Sequence, residues 1–73
     1  MREPVEGTRY FVHGESVFGT ARWRYVITAE GAQGPVVVAS GVGTHETQAK
    51  AVAAGSAHAH AMVKQLRRDL RRV

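Results

Sequence analysis

The chain has 73 residues, 44% of them hydrophobic, and a formal net charge of +4. A chain this short holds one domain with a marginal core, because below roughly 70–80 residues burial rarely supplies more than about 3–5 kcal/mol net. It contains no cysteine, so disulfides and thiolate metal sites are excluded, and close packing or self-association must supply the stability.

Residues 1–7 (MREPVEG) contain Pro4 and Gly7 and show no hydrophobic period. They read as a flexible N-terminal arm ahead of a single domain over residues 8–73, and they lack the charged-then-apolar pattern of a signal peptide. Residues 8–13 (TRYFVH) are rich in aromatic and β-branched side chains and predict a first strand. Residues 21–29 (ARWRYVITA) form the clearest strand. Side chains alternate across a sheet, so Trp23, Tyr25 and Ile27 share the inward face, and Arg22, Arg24, Val26 and Thr28 share the other. Gly31, Gly34 and Pro35 then mark a turn. Residues 36–42 (VVVASGV) predict a third strand that ends in a sharp bend at Gly41-Val42-Gly43.

Thr44 reads as the N-cap of a helix, with Glu46 in the first turn complementing the helix dipole. Past Thr44 only Gly55 interrupts the pattern, so one helix of about 28 residues is expected, about 42 Å long at 1.5 Å per residue. Ala49, Val52, Ala53, Ser56, Ala59, Val63, Leu66 and Leu70 recur at steps of three and four. They predict one stripe facing the sheet, small in its first half and large in its second. Strands of six to nine residues span only roughly 20–30 Å, so the last turns of the helix should overhang the sheet. The predicted fold class is α+β: a three-stranded antiparallel sheet packed against one long C-terminal α-helix.

Charge is unevenly placed. Residues 1–63 carry five bases and five acids, whereas residues 64–73 carry five bases and one acid. Lys64, Arg67, Arg68, Arg71 and Arg72 fall at helical spacing and make one broad basic face. Clustered cations point to a polyanionic partner, and the planar guanidinium fork of arginine suits phosphate. The leading expectation is a non-enzymatic nucleic-acid-binding module of low sequence specificity, using these five residues with help from Lys50, Arg22 and Arg24. The alternative is a protein-interaction or homodimerisation module, in which the overhanging Val63, Leu66 and Leu70, or an edge strand, meet a partner.

Other chemistry finds little support. The serines lack a GxSxG setting, and the acids are scattered singly. His58 and His60 are two apart, whereas a helical metal pair needs a spacing of four. The Gly41-Val42-Gly43-Thr44 turn lacks the Lys-Ser/Thr of a P-loop. No catalytic residue, cofactor, metal or small-molecule substrate is expected. No apolar run approaches the ~20 residues of a membrane span. Cysteine-free composition fits a reducing compartment, so a cytoplasmic protein is expected.

Residues 41–57 (GVGTHETQAKAVAAGSA) add a resemblance. Gly41, Gly43, Ala49, Lys50, Ala53 and Ala54 match the glycine-rich strand end and the helix opening of the double-stranded RNA-binding domain family. Over about the last two-thirds of the chain the pattern resembles that family's three-stranded sheet and last helix. The resemblance implies an RNA-binding role in which Lys50 contacts phosphate. The family's paired lysines at the helix start read Glu46 and Thr47 here, and its first helix has no counterpart in MREPVEGTRYF. The arginines of this chain sit at the opposite end of the helix.

Overall fold

The computed structural model describes residues 2–71. The strands are β1 (Glu3–Pro4), β2 (Tyr10–Ser16), β3 (Trp23–Gly31) and β4 (Gly34–Ser40), followed by one helix, α1 (Gln48–Arg71). The fold is α+β with one C-terminal helix, as the sequence predicts, but the sheet has four antiparallel strands in the order β1-β2-β3-β4 rather than three.

The extra strand comes from residues that read as a loose arm. Glu3 pairs with Val12 and Pro4 with Phe11. A tight turn secures them: the Val5 amide donates to the Tyr10 carbonyl at 3.0 Å, and the Thr8 hydroxyl donates to the Val5 carbonyl at 2.9 Å. Val5 is buried in the core beside Val12, Ile27 and Ala59. Arg2 crosses the outer sheet face, with its guanidinium carbon 4.3 Å from the centre of the Phe11 ring, and pairs with Glu30. A Pro-Gly-punctuated segment carries no period because only Val5 of it needs to point inward.

The β3–β4 connection is a hairpin closed by the Gly31–Gly34 pair. Gly34 takes φ 121°, a region side chains rarely enter. Further along, Ile27 opposes Ala39 while Thr28 opposes Val37. Val38 is therefore the extra residue of a bulge.

α1 starts later than predicted, and Thr47 rather than Thr44 caps it: the Lys50 amide donates to Thr47 Oγ1 at 3.1 Å. The reason lies one strand away. The His45 backbone pairs with Trp23 through two hydrogen bonds of 2.7 and 2.9 Å, which holds residue 45 in an extended conformation. Thr44 meanwhile accepts from Arg22 Nε at 2.6 Å.

α1 packs mainly on β2 and β3. Its buried residues are Ala51, Gly55 and Ala59, one residue per turn. Only a small residue fits at the middle position. A Cβ on Gly55 would stand 3.0 Å from Tyr25 Cβ and closer still to a Val12 methyl. The buried line is thus rotated from the predicted stripe: Ala59 belongs to both, whereas Ala49 and Ala53 are exposed. Beyond Val63 every described helical residue is exposed, and the molecule extends 46 Å along its longest axis.

Glycine inside a helix is normally about 0.5–1 kcal/mol less favourable than alanine. Here Gly55→Ala should destabilise the domain by about 1–3 kcal/mol, because overpacking outweighs propensity. Urea unfolding followed by circular dichroism measures this. Ala57→Gly, on the exposed side of the same helix, should cost only about 1 kcal/mol.

Candidate nucleic-acid interface

The C-terminal turns of α1 carry the charge. Lys64, Arg67, Arg68 and Arg71 line a single shallow concavity. At 3.6 residues per turn they occupy an arc of about 100°, centred about 170° from the line of Ala51, Gly55 and Ala59. The basic face is therefore the back of the helix, directed away from the sheet. Arg72 lies outside the described residues.

None of these four cations forms an ion pair among the described residues. The nearby acid, Asp69, instead accepts a hydrogen bond from Gln65 Nε2 at 3.1 Å. The helix C-terminus is the negative end of its dipole, so it tolerates this cluster without an acidic partner.

The three residues expected to assist do not join the face. Lys50 lies near the other end of α1, with Nζ 3.2 Å from Glu46. Arg22 donates to Thr44 through Nε at 2.6 Å and to the Thr44 carbonyl through Nη2 at 3.2 Å, tying the β2–β3 loop to the segment before α1. Arg24 sits on the outer sheet face and donates to Glu15 at 3.2 and 3.3 Å. Sequence separation hides the Arg22 partner, since Arg22 and Thr44 are 22 residues apart. A cation missed in the sequence is Arg9, which forms no ion pair among the described residues. It lies in the β1–β2 loop, beside a groove shared with Val63 and Leu66, and its guanidinium carbon is 5.9 Å from the Tyr10 ring.

The aromatic residues of β3 are half-buried and do not offer an open stacking platform. Tyr25 lies under the helix, its hydroxyl 2.7 Å from His58 Nδ1 and the two rings edge to face. His58 is half-buried by this contact. Of the apolar candidates, Val63 is half-buried, whereas Leu66 and Leu70 remain 52% and 67% exposed.

Among the described residues no helix is long and apolar enough to cross a membrane, and no three His, Asp or Glu side chains gather as a metal site. No family model matches the chain, and neither a curated protein nor a solved structure matches it.

The fold shifts the ionisation of Glu15. His13 Nε2 at 3.1 Å and the Arg24 guanidinium hold its carboxyl below the ordinary value of 4.5. A depressed folded value adds stability above the unfolded value, and that stability is lost as pH falls through the folded one. Stability should therefore decline on acidification below about pH 4.5. Glu15→Gln should flatten that part of the curve, measured by thermal unfolding across the pH range.

Proposed function

We propose that the chain is a small, non-enzymatic binding module that holds nucleic-acid phosphates on the back of its C-terminal helix end. The observation that carries this reading is the contrast among the cations. Arg2, Arg24 and Lys50 form ion pairs and Arg22 bonds Thr44, whereas Lys64, Arg67, Arg68 and Arg71 converge on one exposed arc with no ion-pair partner among the described residues. Four unpaired like charges at helical spacing repel one another, and a polyanion relieves that repulsion.

Recognition of this kind is mostly electrostatic. Arginine and lysine contacts to phosphate position a duplex without reading its bases, so weak sequence preference follows. A helix about 10–12 Å across also matches the roughly 12 Å width of the B-form major groove. The resemblance of residues 41–57 to the double-stranded RNA-binding family makes duplex RNA the first ligand to compare with duplex DNA. If RNA is bound, this surface differs from the family's, because the basic face lies at the far end of the helix from Lys50.

A protein-interaction role has its own support in Leu66 and Leu70, which are apolar and uncovered. The two roles use different sides of the same turns, so they are separable by mutation.

Fluorescence anisotropy with labelled duplexes tests the nucleic-acid reading. Neutralising four phosphates gives a log–log salt slope near −3.6, or a fall in affinity of about 100-fold between 50 and 200 mM salt. Replacing Arg67, Arg68 and Arg71 by Glu should abolish binding while the circular dichroism spectrum is retained. Unchanged affinity in that variant contradicts the proposal.

A further inference from the structure

The face of α1 that the sheet covers and the apolar seam of the helix do not coincide. Ala49, Val52, Ser56, Val63 and Leu66 run about 70° round the helix from the line of Ala51, Gly55 and Ala59. This seam is open on the β1 side. Ala49 is exposed, Val52, Ser56 and Val63 are half-buried, and Leu66 is 52% exposed. Two shallow grooves mark the same side, one between Glu3 and Ala49–Val52, the other between Tyr10 and Val63–Leu66. A two-residue β1 is too short to fill them.

We propose that a second copy of this chain lays its α1 antiparallel along this seam. The steps of three, four, seven and three along it fit the heptad of a coiled-coil contact line. The seam has small Ala49 at one end and large Leu66 at the other. Antiparallel helices match the large end of one to the small end of the other. With the two-fold axis between Ser56 and Ala59, Leu66 meets the partner's Ala49 and Val63 meets the partner's Val52. Ser56 near the axis lets the backbones approach closely.

Charge favours the same direction. Glu3 lines the groove beside Ala49, and Arg67 follows Leu66, whereas Glu46 is already paired with Lys50. Antiparallel helices bring Arg67 toward the partner's Glu3, whereas parallel helices would bring the two basic ends together. The remaining route, pairing along β4, is guarded at Pro35, which has no amide to donate, and at the Val38 bulge. The antiparallel pair leaves Lys64, Arg68 and Arg71 of both helices open on one side, about 30 Å apart along the helix axes. This inference stands or falls separately from nucleic-acid binding.

Because the chain has no cysteine, engineered cysteines report the register directly. A disulfide needs Cα atoms within about 4.4–6.8 Å. Ser56→Cys, near the axis, should form a disulfide dimer under mild oxidation. Ala49→Cys alone should stay monomeric on a non-reducing gel, because its own copy lies about 25 Å away along the axis. A mixture of Ala49→Cys and Leu66→Cys should yield the mixed disulfide. Sedimentation equilibrium of the cysteine-free chain should show twice the monomer mass at about 100 μM, and Leu66→Asp, at an exposed position, should return it to monomer. A monomer at every concentration overturns the proposal, as does cross-linking of Ala49→Cys to itself. A dimer that does not cross-link at Ser56 overturns it too, and assigns the contact to β4 or to the helix tip.

Discussion

The closeness of α1 to the sheet at Gly55 governs the rest of the molecule. Val12 and Tyr25 occupy the space where a side chain on residue 55 would stand. Interiors pack near crystal density, so this contact fixes the height, rotation and position of the helix together. Tyr25 is held on two further sides, by His58 through its hydroxyl and by Gly41, where a Cβ would come within 2.7 Å of the ring. The glycines before and within the helix therefore make room for one aromatic residue of the central strand.

Once the middle of α1 is fixed over β2 and β3, its end has nowhere to rest. The helix runs along β2 from Gln48, which touches Gly14, to Val63 and Leu66, which lie beside Tyr10 at the start of that strand. About 24 residues of helix span about 36 Å, longer than any of the strands beneath them. The last turns project past the sheet, with cations on the back and leucines below. Their helicity depends on the anchored portion, because a short isolated helix is marginal in water. The basic face is thus displayed by a rigid rod rather than by a loop.

The parts of this design that were legible in the sequence are those with a strong local period. Strand β3 places Trp23, Tyr25 and Ile27 on one face, although Val26 and Thr28 on the other are buried too, and the α+β class and the projecting helix follow from simple lengths. What stayed hidden depends on contacts between distant residues. Glu3 and Pro4 have no periodicity and become a strand only because β2 offers an edge. Thr44 has the chemistry of a cap but is taken by Arg22, leaving Thr47 to start the helix. The sheet-facing side of α1 was misplaced by less than a quarter turn, because the hydrophobic stripe marks Ala49 and Ala53 whereas packing selects Gly55. Pairing across the sheet and to the segment before α1 holds Arg24 and Arg22 within the fold, and a local pair with Glu46 holds Lys50, so these three lie apart from the candidate surface.

A helix whose back is basic and whose side is apolar exposes two chemically different surfaces at once. The measurement that decides whether the projecting end is the binding surface is an amide chemical-shift map by NMR, with a short RNA duplex added to the labelled protein. Shifts concentrated on residues 64–71, with β2 to β4 and the first turns of α1 undisturbed, are the expected result. The largest shifts on the outer sheet face around Arg24, or around Lys50 at the start of α1, would contradict it.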